Sequence, residues 1–316
     1  MRFKNSLWVL GAIVVLLSCK KGPEKTMVAA HEPSQNLHLM EVADVISAEG
    51  EDTFLLIDFR TAEAYEKGHI EGALNFWRPH IEDTSYAYKG MMAPKKQIEA
   101  LFSKLGIQNN DHLVVYDHKG SSDAARLWWL LQSYGFERVS ILNGGYQAWL
   151  DAGGKLSIEP IARSTSTFTL PEQEGLHLWI DHESLVGRLP NLDGIVLVDA
   201  RTADEYSGKR KKEGAAKAGR IPGSVHMDWA NAIDLEGSHK FKPLPQLQAI
   251  YGGLGASKED TLIVYCHTGV RSAHTTFVLH ALLGYGQVKN YDGSWSQWSH
   301  LNELPFEKDS ITLVNK

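Results

Sequence analysis

Short apolar runs that end in polar loop residues recur along this chain, and they recur in pairs. Leu55-Leu56-Ile57-Asp58-Phe59-Arg60 is echoed by Val196-Leu197-Val198-Asp199-Ala200-Arg201, and Leu113-Val114-Val115-Tyr116-Asp117 by Leu262-Ile263-Val264-Tyr265-Cys266. Unbroken apolar runs of this length predict strands buried on both faces, as in a parallel sheet. Helical spacing follows over 124–134 and 273–283, with Gly135 and Gly284 as the expected C-terminal stops. Two further segments pair in the same order. Gly68-His69-Ile70-Glu71-Gly72-Ala73 matches Gly219-Arg220-Ile221-Pro222-Gly223-Ser224, and Asn143-Gly144-Gly145-Tyr146-Gln147-Ala148-Trp149 matches Asp292-Gly293-Ser294-Trp295-Ser296-Gln297-Trp298. From Asp117 to Trp149 the second copy follows at a constant 149 residues (266 − 117 and 298 − 149). A constant offset through strand, loop, helix and turn implies two duplicated domains, not a short-period solenoid. Alternation of strands and helices predicts α/β, with a mainly parallel sheet flanked by helices in each half.

The duplication sets the boundaries. The first domain is expected over 37–152 and the second over 176–306, joined by a linker at 153–175 rich in Pro, Ser, Thr and Glu, with a tail at 307–316. The N-terminus reads as an export signal: Arg2 and Lys4 precede the apolar stretch Leu7 to Leu17, which is short for a spanning helix. Leu16-Leu17-Ser18-Cys19 resembles a bacterial lipobox. Residues 1–19 are therefore expected to be a lipoprotein signal peptide with Cys19 as the lipidated residue, and 20–36 a flexible polar tether. This places a soluble protein on a membrane of the bacterial cell envelope, outside the cytoplasm. A plain secretory signal or a short anchor is the alternative.

A length of 316 residues suits two domains, and 43% hydrophobic with 22% charged residues is an ordinary globular balance. The net charge of −6 argues against a general nucleic-acid-binding surface. The two cysteines sit in such different contexts that no structural disulfide is expected. His274 and His280 are not spaced as a metal pair and no second cysteine is near, so no metal and no cofactor are expected.

The chemistry concentrates at Cys266. It ends an apolar strand, is followed by His267-Thr268-Gly269-Val270-Arg271, and a helix opens at Ser272. In open α/β sheets ligands bind beyond the carboxyl ends of strands. A strand-to-helix turn gathers backbone N–H dipoles, and these favour the thiolate, the nucleophilic form of cysteine. A ring of amides from His267 to Ser272 would lower the thiol pKa and hold an anionic sulfur. Gly269 permits the curvature, and Ser272 is placed to cap the helix. In the first half Asp117 occupies the equivalent place and cannot act as a sulfur nucleophile.

Together these segments resemble a tandem rhodanese, a sulfurtransferase built from two rhodanese-like domains. The resemblance spans roughly 38–306 and rests on Asp-x-Arg after a strand, Gly-x-Ile-x-Gly, the Cys-x-x-Gly loop and the Asp-Gly-Ser-Trp turn. It implies a supporting first domain without the cysteine and a catalytic second domain. It also implies a two-step mechanism, in which Cys266 takes sulfur from a small anionic donor and passes it to cyanide or a thiol acceptor, with a thioredoxin-like protein as one form of the latter. The set Glu205-Tyr206-Ser207-Gly208-Lys209, Arg271-Ser272-Ala273-His274-Thr275 and Asn290-Tyr291-Asp292-Gly293-Ser294-Trp295 looks most similar to bacterial thiosulfate sulfurtransferases. Thiosulfate is the expected donor and 3-mercaptopyruvate the alternative.

Donor contacts are expected from Arg271, which would supply a cation or instead pair with Asp199, Asp204 or Glu205. They are expected also from Arg201, His267, Thr268, Gly269, Val270 and Ser272, with Trp295 as an apolar wall over the sulfur. Family members often carry Arg where Glu205 stands, which bears on anion binding. Lys209-Arg210-Lys211-Lys212 lies in an insertion that would either steer anions or form a solvated loop. Two rival functions remain: a sulfur carrier or binding protein, and a Cys-dependent phosphatase. The latter is disfavoured because the loop is Cys-x4-Arg, one residue shorter than a phosphate-binding Cys-x5-Arg loop.

Overall fold

The computed structural model describes Met1 and residues 37–48, 54–172, 175–189 and 191–309. The expected signal peptide with Cys19, the tether, and the tail beyond 309 lie outside the described residues. Each half contains a five-stranded parallel sheet. In the first, the spatial order is Leu39–Met40, Val139–Leu142, Leu113–Tyr116, Leu55–Asp58, Leu74–Asn75. In the second it is Trp179–Ile180, Val288–Tyr291, Thr261–Tyr265, Ile195–Asp199, Val225–His226. Strand for strand the two orders are the same, as the duplication requires. Every residue of Leu113–Tyr116 and Leu262 through Tyr265 is buried, which accounts for unbroken apolar runs in place of alternation.

The helices expected after the central strands form at Ser122–Ser133 and Val270–Phe277. The second continues as a π-helical turn over Val278–Leu282. Gly135 and Gly284 adopt φ of 84° and 69°, the left-handed geometry of a helix stop. These two helices meet along the contact between the halves, where the rings of Trp128 and Phe277 pack edge to face at 4.8 Å. One apolar cluster therefore runs through both halves, from Ile57 and Phe102 through Trp128 to Phe277, Val264 and Cys266. The expected linker is not a free connection. Phe168 and Leu170 are buried, Phe168 lies 4.9 Å from the Phe102 ring, and Lys95 donates to the Pro171 carbonyl. Phe168 and Leu170, with Ile161 packed on the same core, strap it to the first half.

The Asp-x-Arg pair builds the same staple twice. The Arg60 Nε donates to both oxygens of Asp58 at 2.9 and 3.1 Å, its Nη2 donates to Oδ2 at 2.6 Å and to the Gly68 carbonyl at 2.7 Å. Arg201 repeats each bond with Asp199 and the Gly219 carbonyl, at 2.8, 3.1, 2.5 and 2.8 Å. An aromatic ring covers each guanidinium, Tyr146 at 3.8 Å in one half and Trp295 at 4.8 Å in the other. The staple ties the end of one strand to the Gly-x-Ile-x-Gly loop. Removing one partner of such a buried pair leaves an uncompensated charge. Arg60→Ala and Arg201→Ala are each expected to lower stability by about 3–5 kcal/mol, read as a drop in the urea midpoint; a change below about 1 kcal/mol would return these pairs to the weak class of surface ion pairs.

Candidate active site

Cys266 follows directly on the strand Thr261–Tyr265, and only 1% of it is exposed. The Ser272 hydroxyl donates to its Sγ at 3.4 Å, and the amides of Ser272 and Thr268 also face the sulfur. What such a ring does to an anion is visible in the first half. The Asp117 carboxylate accepts from the amides of Lys119 and Ser121 on one oxygen, at 2.8 and 3.0 Å, and from Asp123 and Ala124 on the other, at 2.8 and 3.0 Å. The constant 149-residue offset maps those four donors onto Thr268, Val270, Ser272 and Ala273. Of these, the Thr268 and Ser272 amides are the ones that face the sulfur.

Several polar groups hold the loop from behind. The Cys266 amide donates to the Ser294 Oγ at 3.1 Å, while the Cys266 and His267 carbonyls accept from the Trp295 and Ser296 amides at 3.0 and 2.9 Å. The Gly269 carbonyl accepts from Asn290 Nδ2 at 3.1 Å and from Arg126 Nη1, of the first half, at 3.4 Å. Arg126 is fully buried and pairs with Asp292 at 2.6 Å, and its Nη2 also donates to the Gly90 carbonyl at 2.7 Å. The second oxygen of Asp292 accepts from the Met92 amide at 2.9 Å. Gly269 has a φ of 76°, and a Cβ there would stand 2.7 Å from Arg126 Nη1 and 2.8 Å from the Asp292 carbonyl. The glycine is needed for curvature and for this approach alike.

Arg126, Asp292, Asn290 and Ser294 were not among the residues expected from sequence to serve the site. A cue existed for Arg126: a single cation within Ala124-Ala125-Arg126-Leu127-Trp128-Trp129 requires a buried partner.

Charge around the thiol is arranged tightly. Burial raises the Cys266 pKa, but Arg271, the Ser272 hydroxyl and the Ser272 and Thr268 amides more than offset this, so the thiol lies below the ordinary cysteine value. Arg271 is itself held. Its Nη1 and Nη2 donate to the two oxygens of Glu205 at 2.7 and 2.9 Å, a bidentate pair with little exposure. Glu205 also accepts from Thr202 Oγ1 at 3.0 Å. Burial works to raise the Glu205 carboxyl, yet Arg271 and Thr202 bring it down to about 2.

Of the two roles expected for Arg271, the structure shows the pair with Glu205, which takes both terminal nitrogens. Three other expectations about donor contacts are corrected. Arg201 is spent on Asp199 and the Gly219 carbonyl and is 2% exposed. Trp295 is buried against Arg201, with its Nε1 donating to the Lys217 carbonyl at 2.9 Å, so it packs the staple and does not wall a pocket. His267 is 5% exposed and turns its Nε2 to the Glu213 carbonyl at 2.9 Å. Burial, with Lys212 nearby, pushes its pKa down to about 4, so the ring is neutral and Nε2 carries the hydrogen. Among the described residues no cluster of ligating side chains is arranged for a metal. His274 is buried between Phe241 and Trp229.

The rhodanese-like domain family model matches residues 41–152 and again 182–301. Thiosulfate sulfurtransferase of Corynebacterium glutamicum is 31% identical over 260 residues, covering 79% of this chain and 83% of that protein. The sulfur carrier protein TtuD of Thermus thermophilus is 34% identical over 259 residues, covering 77% of this chain and 87% of that protein. A solved structure of EanB that holds a cysteine persulfide with ergothioneine matches with a TM-score of 0.73 at 26% identity, covering 85% of this chain and 69% of that one.

Because Arg271 is the foremost favourable charge on the thiolate, Arg271→Ala should raise the Cys266 pKa. The rate of iodoacetamide alkylation rises with pH as the thiolate forms, so the inflection should move to higher pH in the variant. An unchanged inflection would assign the depressed pKa to the amide ring alone.

Proposed function

The chain belongs to the rhodanese family, and from that premise we propose that it moves sulfane sulfur from thiosulfate to cyanide or a thiol acceptor through a persulfide on Cys266. The observation that carries this reading is the ring of amides that holds the Asp117 carboxylate in one half, with the Thr268 and Ser272 amides facing the Cys266 thiol at the equivalent place in the other. In the first step the thiolate Sγ attacks the outer sulfur of thiosulfate. A new sulfur–sulfur bond forms, the old one breaks, and sulfite leaves with the electron pair. In the second step the acceptor attacks the outer sulfur of the persulfide and Cys266 leaves as thiolate. No proton transfer is needed in the first displacement when Cys266 is already ionised, nor in the second when the acceptor arrives as cyanide or as a thiolate.

The amides of Thr268, Val270, Ser272 and Ala273 are proposed to hold the negative sulfur of thiolate and persulfide in turn, and Gly269 to shape the ring. Arg271 contributes field at the sulfur, not a clamp on the donor. 3-Mercaptopyruvate remains the alternative donor. A carrier function is supported by the likeness to the Thermus relative, itself named a sulfur carrier protein. A carrier would load the same cysteine and discharge only to a protein partner, and a thioredoxin-like fold suits that role. The lipobox-like Leu16-Leu17-Ser18-Cys19 supports attachment to a membrane of the cell envelope through lipid on Cys19. No helix among the described residues is long and apolar enough to cross a membrane.

With thiosulfate, intact mass should show a single sulfur atom added, and Cys266→Ser should abolish both loading and thiocyanate formation. Steady-state rates should give parallel double-reciprocal lines and rank thiosulfate ahead of mercaptopyruvate. Loading without turnover to cyanide or small thiols would favour the carrier. In a bacterial host, Cys19→Ser should release the protein from the membrane fraction; retention there would point to a different anchor.

A further inference from the structure

A donor such as thiosulfate brings a dianion to a site whose nearest guanidinium is already taken. Arg271 faces Glu205 with both terminal nitrogens, and that pair is nearly neutral as a unit. The loop amides and Arg271 serve the thiolate itself, so the charge of an incoming dianion calls for a further cation.

The segment between the Asp-x-Arg staple and the Gly-x-Ile-x-Gly loop supplies what is missing. From Glu213 onward it is fastened. The Glu213 carbonyl accepts from His267 Nε2 at 2.9 Å, Ala215 is buried in the second half, the Ala216 amide donates to Ser299 Oγ at 3.0 Å, and the Lys217 carbonyl accepts from Trp295 Nε1. His267 adjoins Cys266 in the chain, so its bond docks the segment beside the sulfur. The basic run Lys209-Arg210-Lys211-Lys212 is then the projecting lip, with Lys212 one residue from the docking bond. Lys209 is drawn toward Asp204 at 3.5 Å, at the far end of the lip. Lys212 is solvent-exposed, and no ion pair among the described residues occupies it. The charges it faces are Arg271, Glu205, Cys266 and Arg78 of the first half.

We propose that Lys212 is the cation that receives the anionic end of the sulfur donor, and that the His267–Glu213 bond positions it over the cysteine in place of the sequestered Arg271. A lysine on a short lip suits this task. Its ammonium is a mobile point charge that can accompany the donor in and the leaving sulfite out, without the bidentate geometry of an arginine. The inference rests on the transferase reading for the identity of the donor, but anion binding can be measured without sulfur transfer.

The test uses the full chain carrying Cys266→Ala, which cannot turn over, titrated with thiosulfate by calorimetry. Adding Lys212→Ala should weaken thiosulfate binding about tenfold, the scale of one charge-assisted contact. Lys212→Arg should restore most of it, and Lys209→Ala should leave it unchanged. The loss should shrink as salt is raised. Equal affinity with and without Lys212, or an equal loss on removing Lys209, would overturn the assignment. Sulfur loading of the unmodified Cys266 protein decides the transferase reading separately, so the two failures can be told apart.

Discussion

Main-chain amides that converge on one point beyond a strand end create a place that prefers negative charge. Everything else at this site exists to build that convergence or to use it. The two halves show it with different occupants. Asp117 fills the ring permanently with a carboxylate that takes four amide bonds and so closes the site. Cys266 places a sulfur there, whose thiolate the Ser272 and Thr268 amides, with Arg271 and the Ser272 hydroxyl, favour. The same strand-to-helix turn thus holds a structural carboxylate in one half and a thiol of lowered pKa in the other.

A tight ring of amides holds its shape only when its carbonyls are held as well. Here the Gly269 carbonyl is fixed by Asn290 and by Arg126, and Arg126 reaches from the first half to a buried carboxylate of the second. A buried pair of this kind contributes little net stability, because desolvation opposes the attraction, but its geometry is strict. The first half is accordingly part of the loop's support: it supplies the guanidinium, and its Gly90 and Met92 backbone completes the network. The Asp199–Arg201 staple plays a parallel part at the neighbouring strand end, where Asp199 and the Gly219 carbonyl take the Nε and Nη2 of the guanidinium.

Glu205 changes the electrostatic character of the site. By pairing with Arg271 it keeps a positive charge close enough to lower the thiol pKa while denying that charge to an incoming anion. The lip docked by His267, through the Glu213 carbonyl, brings the basic run 209–212 to the same edge of the second half.

Periodicity, the constant offset and the strand-end cysteine were sufficient to read off two parallel α/β halves and to place Cys266 at the end of a central strand, because burial of both sheet faces and the strand-to-helix turn are local consequences of chain order. The roles of Arg201, Arg271, Trp295 and His267 were not readable in this way. Each has a partner distant in sequence or chosen among several nearby carboxylates, and the charge that a side chain offers depends on which partner takes it. Arg126 and Asp292 lie 166 residues apart and meet only because the two halves pack helix against helix. The sequence alone therefore determined the two-domain fold and the place of the lone strand-end cysteine. The tertiary structure decided which charges are free to meet the substrate, since buried ions settle their pairings by proximity in space, where an unfavourable desolvation must be offset by a neighbour that the linear order does not specify.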